Sequence, residues 1–210
     1  MSHIILLGDS ILDNAAYVSN GPDVIHHLRQ RLPQGWRATL CAVDGDVIQD
    51  VHQQLKDVPG DATHLVISVG GNDALGQAGV LGESASSVAA ALTRLATIRD
   101  QFESGYQQML EAVLKRGLPT AVCTIYYPQF PDVQLQRIAV AALTLFNDCI
   151  LRLAFAHGIP VLDLRLICNE AGDYANQIEP SAQGGGKIAA VIAQVVTQHD
   201  FSTQRTILFI

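Results

Sequence analysis

A chain of 210 residues is long enough for one domain with a substantial core. With 49% apolar and only 16% charged residues it is not a disordered chain. A formal net charge of −7 without any Lys/Arg cluster argues against a nucleic-acid partner and against an anionic membrane surface. No apolar run reads as a membrane span, and Asp9 arrives too early for a signal peptide. The expectation is a cytoplasmic protein with residues 1–210 as a single domain. Cys41, Cys123, Cys149 and Cys168 lack metal-like or redox-motif spacing and read as buried thiols.

In chain order, His3 to Leu7 is a short strand, apolar after its first member and without alternation, as suits a strand buried on both faces of a parallel sheet. Gly8-Asp9-Ser10 follows at its carboxyl end, where open α/β sheets place their ligand sites. Ile11 to Asn20 reads as a loop, and Gly21-Pro22-Asp23 opens a helix to about Leu32. Trp36 to Val43 is a second strand, and Asp44-Gly45-Asp46 turns into a helix from Val47 to Lys56. Thr63 to Val69 is a third, running into Gly70-Gly71-Asn72-Asp73. Strand, polar Gly turn and helix thus repeat, the pattern of right-handed βαβ units.

Ala74 to Gly82 reads as a Gly-rich loop, followed by a helical region from Ser84 to Arg116 with a break near Arg99-Asp100. Leu118 to Ile125 is a fourth strand, Val133 to His157 a helix and Ile159 to Leu164 a fifth strand. Leu166 to Ser181 is irregular, and a terminal helix runs from Ala182 to His199. Thr206 to Ile210 is either a strand or a docked tail, too apolar to be left in water. It is expected to pack on its own domain or, failing that, to join a second copy in a homodimer.

Three strand-end turns fall on one sheet edge, carrying Ser10, Gly45 and Asn72. Nucleophilic acyl transfer needs a hydroxyl together with donors aimed at a developing oxyanion. A backbone N–H at a glycine and an Asn amide suit that task, since neither changes protonation. Taken singly, each is also an ordinary turn residue. No metal is implied, because no His/Cys/Asp cluster has ligand spacing, and no cofactor is called for.

The residues Leu7-Gly8-Asp9-Ser10, Gly45 and Gly71-Asn72-Asp73 resemble the blocks of the SGNH (GDSL-type) hydrolases. Ile178-Glu179-Pro180-Ser181-Ala182-Gln183-Gly184 fits the frame of that family's last block, so the resemblance runs from residue 5 to about residue 190. It implies a three-layer α/β/α sandwich, flavodoxin-like, with a five-stranded parallel sheet. It implies Ser10 as nucleophile, and the Ser10 N–H, the Gly45 N–H and the Asn72 side chain as oxyanion donors, with Asp9 among the binding residues. The expected partner is a small-molecule ester, acyl or acetyl, or else a ligand held by a protein that has lost the reaction.

Two positions depart from the family. Glu179 stands where the family has its His, and Asn176 where it has its triad Asp. Glu179 is either a base altered from imidazole to carboxylate or a carboxylate that pairs with Lys187 or an Arg near the last helix. Asp173 is a further candidate, six residues before Glu179. An unperturbed Glu is a weaker base than His by roughly two pK units. Burial beneath an apolar lid would raise it toward neutrality.

Overall fold

The computed structural model of the chain describes residues 1–19, 21–203 and 205–210. Parallel strands β1 (His3–Gly8), β2 (Arg37–Leu40), β3 (His64–Ser68), β4 (Thr120–Cys123), β5 (Val161–Leu162) and β6 (Leu208–Phe209) form one sheet in the order β2-β1-β3-β4-β5-β6. β1 is an interior strand, between β2 and β3, and is wholly buried. Alternate residues serve opposite faces: Ile4 and Leu6 enter one apolar cluster, Ile5 and Leu7 the other. That two-sided burial accounts for the unbroken apolar run in the sequence.

Helices α1 (Val24–Arg31) and α7 (Ala182–Gln198) cover the first cluster. The second is covered by α2 (Val51–Gln54), α4 (Val88–Leu114) and α5 (Val133–His157). The short helices α3 (Gly71–Gly76) and α6 (Leu164–Ile167) follow β3 and β5. Helix starts are capped as their sequences suggest. Asp23, Ser87, Asp132 and Ser181 each accept a backbone N–H of the first turn, and Gly158 ends α5 in the left-handed conformation. Two glycines have no substitute. Gly8, at φ 128°, would place a Cβ 1.7 Å from the Ser68 carbonyl oxygen, and Gly184 would place one 2.1 Å from that of Asp173.

The five-stranded, flavodoxin-like sheet expected from the sequence is corrected to six strands. The tail supplies the sixth, parallel to β5. The Ile207 carbonyl accepts from Val161 N–H and the Phe209 carbonyl from Asp163 N–H, both at 2.9 Å. Phe209 packs against the core and stands edge-on to His199. Deleting residues 206–210 would leave two buried N–H groups without partners, at about 1–3 kcal/mol each. A loss of about 2–6 kcal/mol in denaturant unfolding is expected; unchanged stability would show that the tail is idle.

Other boundaries differ as well. The expected loop 74–82 instead holds the end of α3 and a 3-10 turn at Ala78–Gly82. α4 runs through Arg99-Asp100 without a break. Leu166 to Ser181 includes the end of α6 and a 3-10 turn at Ala171–Asp173. The loop expected over Ile11–Asn20 contains a 3-10 turn at Ala15–Tyr17, and its last residue lies outside the described ones. By length and composition α5 does reach spanning size, with a mean hydropathy of 1.8 over its most apolar window. A third of that window is buried within the protein, so the helix has a core-packing half and an exposed half.

The lengths matter for the site. At 1.5 Å per residue the 27 residues of α4 span about 40 Å, twice the roughly 20 Å of the longest strand. Because both helices run antiparallel to the strands, the excess lies beyond the carboxyl edge of the sheet. There the amino-terminal halves of α4 and α5 form a wall above Ser10.

Candidate active site

Ser10 sits in the turn directly after β1 and is 5% exposed. The turn is held by the Asp9 carbonyl, which accepts from Leu12 and Asp13 N–H at 3.1 Å, and by Asp9 Oδ1, which accepts from Ile11 N–H at 3.1 Å. Ser10 N–H itself donates to no other described residue, so it is left as an open donor.

Gly45 adopts φ 89° in an exposed turn, and its N–H likewise donates to no described residue. It is not among the residues lining the cavity described below. Asn72, in the first turn of α3, donates one amide hydrogen to the Asp46 carbonyl at 2.9 Å, leaving the second. Gln54, missed in the sequence, ties these pieces together. Its Oε1 accepts from Gly8 N–H at 2.8 Å, while its Nε2 donates to the Gly8 carbonyl at 2.7 Å and to Asp46 Oδ2 at 2.8 Å. The strand end before Ser10, the Gly45 turn and Asn72 are thus one hydrogen-bonded assembly. Asp73 extends it by accepting Ile48 N–H at 3.1 Å.

Glu179 reaches the same place from 169 residues away and is 6% exposed. Its backbone is gripped on all sides. Asn176 Oδ1 accepts from Ile178 N–H at 2.8 Å and from Glu179 N–H at 2.9 Å, and the Glu179 carbonyl accepts from Ala175 N–H at 2.8 Å. Tyr126 donates its hydroxyl to the Ile178 carbonyl, and buried Asn14 donates to that of Pro180 at 3.1 Å. Asn176 therefore positions the Glu179 backbone from an exposed turn. Asn14 and Tyr126 left no sequence signal, since their partners lie 166 and 52 residues away.

Asp173 is placed elsewhere. It is fully buried, and its two oxygens are taken by Asn169 and Glu170 N–H, Gln183 and the Lys187 ammonium. Burial opposes its ionisation, but Lys187 and the other donors win and hold it below the usual carboxylate range. Lys187, considered above as a partner for Glu179, is paired with Asp173 at 2.9 Å and Glu170 at 3.2 Å.

The Glu179 carboxylate has no such partner. Burial pushes its pKa up to about 7, the Ser10 hydroxyl pulling it down and the Asp44 charge adding to the rise. Its Oε2 is buried without a hydrogen bond to any described residue. Asp9, 2% exposed, is raised to about 8, chiefly by burial, with Ile11 N–H opposing and the charges of Glu179 and Asp73 adding. Asp44, also missed in the sequence, is exposed and accepts the Tyr17 hydroxyl at 2.9 Å.

Asp9, Ser10, Asn72 and Glu179 all line one cavity of about 290 Å³, at the lower bound for small-molecule pockets. Away from these four its wall is mostly apolar, with Leu95, Ile98, Ile125, Leu143 and Phe146 among its residues beside Ser68 and Gln77. No histidine lines it, and no group of metal-ligating side chains exists among the described residues.

Fold and site together define a three-layer parallel α/β protein that carries a serine at the carboxyl end of its first strand. More particularly, the chain belongs to the GDSL-like lipase/acylhydrolase family, whose model matches residues 6–185. Similar solved structures include an extracellular lipase from Streptomyces rimosus, at 20% identity and TM-score 0.66 over 94% of this chain and 100% of that one. A phospholipase A1 from Streptomyces albidoflavus NA297 has 19% identity and TM-score 0.64, over 91% and 98% of the two chains. A carbohydrate acetylesterase from Sinorhizobium meliloti has 11% identity and TM-score 0.65, over 93% and 98%. At these identities the likeness is one of fold. No curated protein matches the chain in sequence. The cytoplasmic expectation is withdrawn, because an extracellular lipase shares this fold over its whole length.

Proposed function

We propose that this protein is a serine ester hydrolase whose general base is Glu179. The observation that carries the reading is the common cavity wall of Ser10 and Glu179, with the carboxylate's pKa raised to about 7. A carboxylate of that basicity is half ionised at neutral pH and serves as either base or acid. In the reaction Glu179 takes the Ser10 proton as Oγ attacks the ester carbonyl. The oxyanion accepts hydrogen bonds from Ser10 N–H and the free Asn72 amide hydrogen; Gly45, outside the cavity lining, has no part in this step. Protonated Glu179 then gives its proton to the leaving alkoxide. Water, deprotonated by the same carboxylate, releases the acid from the acyl-serine.

The substrate expected from the sequence was a small acyl or acetyl ester. The apolar cavity widens this to esters whose acyl part is a hydrocarbon chain, which the wall would remove from water at about 0.8 kcal/mol per buried CH₂. The test is reaction of the full chain with an alkyl fluorophosphonate, followed by intact mass and peptide mapping. One adduct on Ser10 is expected, absent from Ser10→Ala.

A second reading is a binding protein that keeps the cavity without turnover. The unpartnered Glu179 Oε2 favours it, because a ligand hydroxyl or amide would satisfy that atom. No adduct under conditions that label an active serine hydrolase would select this reading.

A further inference from the structure

The wall that overhangs Ser10 exposes more hydrocarbon than a water-facing helix pair requires. Val88 is 78% exposed, Leu92 60% and Val133 75%, with Ile138 at 36% on the same half of α5. This surface is continuous with the cavity, since Leu75, Leu81 and Leu135 both line the cavity and are exposed. Residues 74–82, 88–98 and 133–142 contain two cations, Arg94 and Arg137, and no carboxylate, although the chain has 20 acidic residues. The net charge of −7 that argued against a membrane is therefore carried outside these stretches, with Glu83 and Asp132 directly at their ends.

We propose that this face docks the protein onto a phospholipid surface, with the cavity mouth turned toward the lipid. The proposal rests on the ester-hydrolase reading for what becomes of a bound lipid, but docking itself needs no turnover. Two features favour lipid over a second copy of the chain. Face-to-face copies would bring two Arg137 guanidinium groups, unpaired among the described residues, onto one apolar interface, Arg94 being already met by Glu83, whereas headgroup phosphates supply Arg137 its complement. A second copy would also seal the cavity mouth. A lipid surface instead lets an acyl chain pass from one apolar phase to another. Arg137, exposed and without an ion pair among the described residues, is free to lay its stem on the apolar layer and its guanidinium on a phosphate. Arg94 bonds Glu83 at the edge of the face.

The experiment is sedimentation of the full-length Ser10→Ala protein with phosphatidylcholine vesicles containing about one part in five phosphatidylglycerol. Ser10→Ala is used so that the vesicles are not consumed. Binding is expected, weakened at least about tenfold by Val88→Ser, Leu92→Ser, Val133→Ser and Ile138→Ser together. Arg137→Glu should weaken it on the anionic vesicles more than on pure phosphatidylcholine. The four serines occupy exposed positions outside the cavity, so circular dichroism should be unchanged. In the Ser10 background they should leave turnover of a water-soluble short ester within about twofold and slow that of vesicle-borne ester. Failure of the Ser10→Ala protein to sediment, or equal sedimentation of the four-serine variant, overturns the proposal. So does a dimer in light scattering that the four serines dissociate, which would assign the face to a second copy. Vesicle binding without turnover of any soluble ester leaves the docking intact and removes the hydrolase reading alone.

Discussion

Replacing Glu179 by Gln is expected to slow ester hydrolysis by about 10²–10⁴-fold, the span of a lost general base. It should also erase a specific pH dependence. In the unaltered protein kcat/KM should rise about tenfold per pH unit below 7 and level off above it, because only ionised Glu179 accepts the Ser10 proton and its pKa is about 7. Gln keeps the size and one carbonyl oxygen but accepts no proton, so the residual rate should be flat through this range. The variant should fold, since Glu179 is positioned through its backbone by Asn176, Ala175 and Asn14 rather than through its carboxylate. A stopped assay across pH 5–9 with a short activated ester reads both effects. Equal activity of the two proteins would remove Glu179 from the reaction and leave Ser10 without a base.

The first strand and its turn were legible because a strand buried on both faces has to be an apolar run, and a serine at its end has to follow a residue that tolerates φ 128°. The bounds of Val133–His157 were also legible, since Asp132 and Gly158 mark its ends by side chain and backbone conformation. α3 was not. It begins and ends in glycine, has a glycine at its N-cap with no side-chain cap, and is held in part by Asp73 bonding Ile48 across 25 residues. That is tertiary support, which a local pattern does not carry. The sixth strand was half legible: its apolar character was plain, but its direction depends on where α7 delivers the chain.

At the site, the residue types were readable and their company was not. Ser10 and Glu179 meet because α7 packs on α1, and because Asn14 clamps both the start of α1 and the Pro180 carbonyl. The same closure decides between two carboxylates six residues apart. Asp173, turned inward, meets Lys187 and three further donors, whereas Glu179 meets apolar walls and one hydroxyl. Their opposite pKa shifts follow from that difference in donors, and spacing along the chain does not reveal it.

Replacing Asp9 by Asn is expected to stabilise the protein, and to do so only as the pH rises. Asp9 is buried, with its folded-state pKa raised from an ordinary carboxylate value to about 8. Below about pH 4 the group is protonated in both folded and unfolded chains, and its burial costs nothing extra. Between about pH 4 and 8 the unfolded chain releases the proton while the folded one retains it, so stability falls by about 1.4 kcal/mol per pH unit. Above about 8 both forms are ionised and the loss is complete, on the order of 5–6 kcal/mol. Asn keeps an oxygen for Ile11 N–H and never ionises, so the variant should lack this slope. Asp163 and Asp173, with lowered pKa values, titrate beneath this window. His3 and His64, whose pKa values burial lowers, contribute equally to both proteins and cancel in the difference. Urea unfolding at pH 4.5, 6 and 8 should therefore show Asp9→Asn within about 1 kcal/mol of the parent at the lowest pH and ahead by several kcal/mol at the highest. A constant difference across the three would mean that Asp9 ionises normally in the folded protein. The sign of the slope also bears on the reaction. Glu179 must lose its proton through about pH 7 to act, while Asp9 keeps its own until about 8. On the proposed mechanism the protein should be most active where this turn is already giving up stability, with a neutral Asp9 sparing the ionised Glu179 a second negative charge nearby.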